Sequence, residues 1–289
     1  MDVNILELAA LIDRCLAEDI GAGDLTTNSI IPGDAAACGF IVAKEAGVVA
    51  GLPLAEMVFR RLDREIDFRY NLRDGVRVER GAVLAEVRGS ARAVLSGERL
   101  ALNFLQRLSG IATRTARMVE LVAGTKASVV DTRKTTPGLR ALEKYAVRVG
   151  GGRNHRFGLY DAVLIKDNHI RMAGGISAAV DLSRRRCPHT AKIEVEVEDL
   201  AGVREALQAR ADIIMLDNMP PLLMREAVAL VAGRALVEAS GKISEENISE
   251  VAATGVDLIS IGALTHSAPS LDVSLDVGEV KAARQKKTP

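Results

Sequence analysis

The chain has 289 residues, 38 Lys and Arg against 38 Asp and Glu, 48% hydrophobic and 3% aromatic residues. That length and apolar content exclude a disordered chain and support a large α/β barrel or, the expectation here, a barrel beside a smaller domain. Zero formal net charge, no Trp, three Tyr and five Phe remove the basicity and the stacking surface of a general nucleic-acid binder, so any anion site is local.

Ile5, Leu8, Ala9, Leu11, Ile12 and Leu16 recur at helical spacing, with Glu7, Asp13 and Arg14 opposite, which predicts an amphipathic opening helix. After the break at Ile20 to Asp24, short strand-like runs follow at 39–43, 48–50, 66–70 and 83–87, with Asp74-Gly75 and Arg80-Gly81 as turns and a helix over 54–62. The stretch 82–95 reads as two short strands about Gly89-Ser90, without a Lys at the turn to carry biotin or lipoate. The first part is therefore an α+β unit. From Glu98 to Leu121 apolar residues fall on every turn, predicting helices buried on several sides.

A β-α alternation begins there. Strands are predicted at 127–132, 162–166, 192–197, 213–217, 235–240 and 258–262, with helices such as 138–149, 176–186 and 222–231, and Ser244 followed by Glu245 and Glu246 reads as a helix N-cap. Six strands leave a choice between an incomplete α/β barrel and an open doubly wound sheet. The polar residues favour the barrel. Thr132-Arg133-Lys134, Lys166-Asp167-Asn168-His169, Glu196, Asp217-Asn218, Ser240-Gly241 and Gly262 each end a predicted strand, and barrel strands converge on one face at those ends.

Between Asp131 and Arg171 nine bases stand against four acids. Arg140, Lys144 and Arg148 repeat every four residues and read as a solvated helix face. Arg133 and Lys134 instead follow an apolar strand, and Gly150-Gly151-Gly152-Arg153-Asn154-His155-Arg156 joins a glycine loop to two guanidiniums and an imidazole. Such a set suits carboxylate or phosphate recognition, because Arg holds a planar carboxylate with two charge-assisted hydrogen bonds. Glu194, Glu196 and Glu198 share one strand face at unequal depth. Glu196 with Asp217 suits ribose hydroxyls or Mg²⁺ through water, the alternative being an ion pair with Lys192 or Lys166. Ser240-Gly241-Lys242 and Ile261-Gly262-Ala263 end the last two strands, where barrels commonly bind phosphate, and His266 follows closely.

Cys15, Cys38 and Cys187 are scattered and form no C-x-x-C pair, giving neither a disulfide framework nor a zinc site and fitting a reducing cytoplasm. The start Met1 to Asn4 lacks the basic and apolar regions of a signal peptide, and no apolar stretch reaches the roughly 18 residues of a spanning helix.

Glu98-Arg99 with Leu102-Asn103, Leu108 to Thr113, Asp131 to Arg140, Lys144 to Val147, Asn154-His155-Arg156, Leu164 to His169, Glu194 to Val197, Leu216-Asp217-Asn218, Glu238 to Gly241, Thr254 to Asp257 and Gly262 to Thr265 together resemble, in order, the signatures of the quinolinate phosphoribosyltransferase family. A related barrel protein linked to molybdate transport usually lacks the combined Asn-His-Arg and Lys-Asp-Asn-His signatures. The resemblance implies an N-terminal α/β sandwich over 1–109, with a returning segment over 268–289 that includes a strand at 274–277, and an irregular, incomplete α/β barrel over 110–267. It implies a homodimer or hexamer, and transfer of phosphoribosyl from 5-phosphoribosyl 1-pyrophosphate to quinolinate with Mg²⁺ present, giving nicotinate mononucleotide, pyrophosphate and CO2. By matching motif, Arg133, His155, Arg156 and Lys166 would bind the quinolinate carboxylates, with Arg99 from the partner subunit. Lys134 would serve the donor's pyrophosphate end, Glu196 and Asp217 the ribose and metal, and Ser240, Gly241, Gly262 and Ala263 the 5-phosphate, with Thr132, Lys242, Ile261 and His266 also among the substrate-binding residues. Lys242 departs from the family, which often has Gly there.

Overall fold

A computed structural model describes residues 5–278. The reading of Met1 to Asn4, and the part of the returning segment beyond 278, lie outside the described residues. The chain divides into two compact units, one running to Arg114 with Ala141–Gly150 and the segment from Ala268 on, the other Thr115–Arg140 with Gly151–Ser267.

The first stretch carries α1 (Ile5–Ile20), α2 (Leu25–Ile30), β1 (Ala36–Ala43), β2 (Gly47–Val48), α3 (Leu52–Leu62), β3 (Asp67–Tyr70), β4 (Arg77–Val78), β5 (Val83–Ser90) and α4 (Ala91–Leu121). Then follow β6 (Ser128–Val130), α5 (Arg140–Val149), β7 (Val163–Ile165), α6 (Asp167–Ala173), α7 (Ile176–Arg186), β8 (Ile193–Val197), α8 (Leu200–Gln208), β9 (Ile213–Asp217), α9 (Pro221–Val231), β10 (Leu236–Ser240), α10 (Ile248–Ala252), β11 (Leu258–Ser260), α11 (Ala263–His266) and β12 (Val273–Val277). No helix among the described residues is long and apolar enough to cross a membrane.

In the first unit an antiparallel sheet runs β12-β1-β5-β3. β12 is the returning strand, its Leu275 opposite Ile41. Leu8, Ile12 and Leu16 of α1, spaced four apart, are buried together with Leu54, Ala55, Val58 and Phe59 of α3, so both helices turn an apolar stripe inward. Asp74 stitches α3 into place: its carboxylate accepts from the Gly51 and Leu52 N–H groups at 2.7 and 3.1 Å and from the Tyr145 hydroxyl at 2.6 Å.

Two sequence expectations fail here. The stretch 82–95 is no hairpin, because β5 runs to Ser90 between β1 and β3 and the chain then enters α4. Gly89, at φ +154°, lies against Ile66, a position where a side chain would meet both a steric and a conformational barrier. The four-residue repeat of α5 is not a solvated face either. Glu143 and Lys144 are fully buried, Glu143 accepting from Arg107 at 2.8 and 3.1 Å, and only Arg148 of the three bases is exposed. Spacing locates a helical face but does not say what packs on it, and α5 groups with the first unit rather than with the barrel.

The second unit contains six parallel strands in the order β6-β11-β10-β9-β8-β7. Each predicted strand is found, 213–217 with its predicted bounds and the others shortened at one or both ends. α7, α8, α9 and α10 are the crossovers from β7 through to β11, and the strand residues facing them, such as Val195, Ile214 and Val237, are buried. Ser244 is not the cap of α10. The Asn247 side chain accepts from the Ser244 N–H at 2.9 Å and the helix begins only at Ile248.

Gly110, inside α4, is the tightest glycine of the first unit: a Cβ there would fall on the Pro269 carbonyl. Gly110→Ala is therefore expected to destabilise the fold by about 1 to 3 kcal/mol through overpacking, read as a lowered urea midpoint with unchanged slope.

Candidate active site

A cavity of about 840 Å³ opens at the C-terminal ends of the parallel strands, lined from β6 by Thr132, Arg133 and Lys134, from β7 by Leu164 and Lys166, from β8 by Glu196, from β9 by Met215, Asp217 and Asn218, from β10 by Ser240 to Ile243, and from β11 by Ser260 to Ala263. His155, Arg156 and His266 complete it. Strands at opposite edges of the hydrogen-bonded order, β6 and β7, meet in one cavity, which a flat open sheet would not allow; the incomplete barrel is the architecture.

Buried backbone and side-chain hydrogen bonds hold the cationic loops. Asp131, with no exposed surface, accepts from the His155 N–H at 2.9 Å and from the Asn154 side chain at 2.6 Å. Arg153 forms a bridge to Val130, so the 151–156 loop continues the sheet edge beside β6. The buried Thr265 hydroxyl donates to the Lys134 carbonyl at 2.7 Å, tying the β6 loop to α11. His169 acts locally: its Nδ1 accepts from the Lys166 N–H at 3.0 Å at the start of α6.

On the other side, Lys166 pairs with Glu196, so the ion-pair alternative and the candidate site coincide. Lys192 instead pairs with Asp212 at 3.3 Å. Asn218 donates to Asp217 at 3.0 Å and its N–H to the Ser240 carbonyl at 2.9 Å. Gly241 has φ +94°, and a Cβ on it would run into the Asn218 amide. Lys242 is also left-handed, at φ +50°, which is the physical reason a glycine suits this position. Asn247 steadies it, donating from its amide to the Lys242 carbonyl at 3.0 Å.

Five cations, Arg133, Lys134, Arg156, Lys166 and Lys242, face two carboxylates, Glu196 and Asp217. Burial, and then the neighbouring Arg133, hold the Arg156 guanidinium below its ordinary pKa, as expected where like charges are forced together to await an anion. Glu196 and Asp217 sit at adjacent strand ends and offer the oxygen donors a hard divalent cation takes.

Residues 24–109 match the family model described as quinolinate phosphoribosyl transferase, N-terminal domain, and residues 111–276 its C-terminal domain. The chain belongs to the quinolinate phosphoribosyl transferase family. It is 48% identical over 275 residues, 95% of each chain, to a probable nicotinate-nucleotide pyrophosphorylase [carboxylating] of Bacillus subtilis (strain 168). It is 43% identical to the chloroplastic nicotinate-nucleotide pyrophosphorylase [carboxylating] of Arabidopsis thaliana, over 94% of this chain and 83% of that one. The crystal structure of NadC from Streptococcus pyogenes superposes with a TM-score of 0.92 at 45% identity, covering 96% of this chain and 100% of that one.

Every residue singled out from the sequence for this family's site lines the cavity except Arg99. Arg99 belongs to the first unit, exposed on α4 beside Glu98. Leu164, Met215, Asn218, Ile243 and Ser260 were not singled out as ligands. Of these, Asn218 carried a readable signal, a polar residue directly after a strand end. Asp131 and Glu238 were missed as well, although each precedes a site residue on its strand by one or two positions.

Asp131→Ala is expected to cost about 2 to 3 kcal/mol in urea unfolding, from loss of two hydrogen bonds to a buried carboxylate, and to weaken binding of a dicarboxylate by freeing the 154–156 loop.

Proposed function

We propose that this chain transfers the 5-phosphoribosyl group of 5-phosphoribosyl 1-pyrophosphate to quinolinate with loss of CO2, giving nicotinate mononucleotide and pyrophosphate for NAD biosynthesis. The observation that carries this reading is the cavity that gathers Arg133, Lys134, Arg156 and Lys166 around Glu196 and Asp217 at the strand ends, in a chain of the quinolinate phosphoribosyl transferase family. A dicarboxylate and a polyphosphorylated sugar require many cations and few apolar contacts, which is the lining found.

Arg133, Arg156 and Lys166 take the quinolinate carboxylates, and Lys134 the pyrophosphate. The pyridine nitrogen attacks C1 of the ribose as the C1–O bond to pyrophosphate breaks. Glu196 and Asp217 orient the ribose hydroxyls and stabilise the positive charge that develops on the sugar. Backbone at Gly241, Gly262 and Ala263, with Ser240, holds the 5-phosphate. Once ribosylated, the ring nitrogen is positively charged and stabilises the electron pair left on the adjacent ring carbon as its carboxylate leaves as CO2, and a proton from water then takes the vacated position on that carbon. Mg²⁺ would neutralise pyrophosphate charge, held by the substrate and, through water, by Glu196 and Asp217. Arg99 reaches the site of a second copy in a homodimer or larger assembly. The three free cysteines support a cytoplasmic setting.

With quinolinate, the donor and Mg²⁺, chromatography is expected to show nicotinate mononucleotide, and none with nicotinate as acceptor. Silence with both acceptors from folded, assembled protein rejects the reading. Arg156→Ala should abolish quinolinate binding in calorimetry while sparing the phosphoribosyl ligand. Glu196→Ala should lower turnover by about a hundredfold or more with ligand binding retained, whereas retained turnover would remove Glu196 from the mechanism.

A further inference from the structure

Below the cavity floor lies a cluster that the reaction as described does not use. Glu194 of β8 and Glu238 of β10 are buried, their side chains 4% and 1% exposed, and both face the His155 ring. His155 Nε2 stands 3.0 Å from Glu194 Oε2 and 3.6 Å from Glu238 Oε1. Neither Glu194 Oε1 nor Glu238 Oε1 has a hydrogen-bond partner. The other ring nitrogen settles the tautomer: the Arg156 N–H points at His155 Nδ1 at 2.7 Å. An amide N–H only donates, so Nδ1 carries the lone pair and the single ring proton is on Nε2, directed at the carboxylates. The Nε2 side of His155 is thus turned to the interior carboxylates. The same geometry argues against a metal at this cluster, since Nε2 offers no lone pair while it holds the proton.

We propose that Glu194 is a positioning residue for the acceptor subsite: by taking the Nε2 proton of His155, with Glu238 beside it, it fixes the ring, and through Nδ1 the backbone of Arg156, so that the Arg156 guanidinium stands at the cavity wall. This deepens the quinolinate reading and rests on it for the ligand. Arg156 is held from three sides, by His155 at its N–H, by the Ala162 carbonyl at Nη1 at 3.2 Å, and through the preceding residue by Asp131. Burial, and then Glu194, push the Glu238 carboxyl up to about 7.

The first test needs no substrate: the ¹⁵N resonances of His155 in the full chain should report the neutral Nε2–H tautomer at neutral pH, and Glu194→Ala should lose that signature while Glu194→Gln, which keeps an acceptor, retains it. In calorimetry Glu194→Ala is expected to weaken quinolinate about tenfold, with Glu194→Gln recovering most of the loss and the phosphoribosyl ligand unaffected in both. An imidazolium in the wild-type chain, or parallel loss of both ligands in Glu194→Ala, overturns the proposal. So does one equivalent of Mn²⁺ held without the donor by wild type and lost in Glu194→Gln, which would make the cluster a cation site. Absence of quinolinate binding with the tautomer as expected is a failure of the functional reading alone.

Discussion

Three carboxylates, Asp131, Glu194 and Glu238, lie inside the strand-lined interior of the second unit, where an unpaired charge is expensive. Much of the neighbouring loop is arranged around them. Asp131 spends its oxygens on the backbone and side chain of the 154–155 segment, and Glu194 faces the ring of His155. One glycine-bearing loop is thereby fastened at consecutive residues to the interior of the barrel, and Arg156 inherits the position that fastening gives it.

The cavity above shows the same economy of charge at its solvent side. Lys166 is paired with Glu196, so the ion pair holds two groups in place that would otherwise be long and mobile. Arg133 and Arg156 sit near one another, with burial disfavouring the charge on Arg156. A neutral chain has concentrated its cations where an anionic ligand supplies the missing partners, and preorganised groups of this kind stabilise charge as it develops without moving at the moment of reaction. Left-handed backbone at Asn218 and Lys242 and the glycine at 241 bring main chain close to the cavity at the ends of β9 and β10.

Much of this was legible beforehand. Strand ends marked by Thr132 to Lys134, Lys166, Glu196, Asp217 and Ser240 could be read because a parallel β-α repeat places its polar residues at one end of each apolar run. The depth gradient along Glu194, Glu196 and Glu198 was also visible as an alternation, and the structure resolves it into buried, half-buried and exposed. Lys144 was misread because a four-residue repeat of bases looks alike on a solvated helix and on one whose face is buried in the fold. The stretch 82–95 was misread because Gly89-Ser90 is a turn signal whether a second strand or a helix follows.

From the sequence alone came the six strands, the β-α order, the local basic character and the residue types of the cavity, since these follow from periodicity and from short-range turn and strand chemistry. Only the tertiary structure decided that the returning strand β12 pairs with β1, that α5 groups with the first unit, and that the His155 ring faces Glu194 and Glu238. Those outcomes depend on which distant segments share a buried environment, and the energy of a buried charge is set by partners that sequence separation does not reveal.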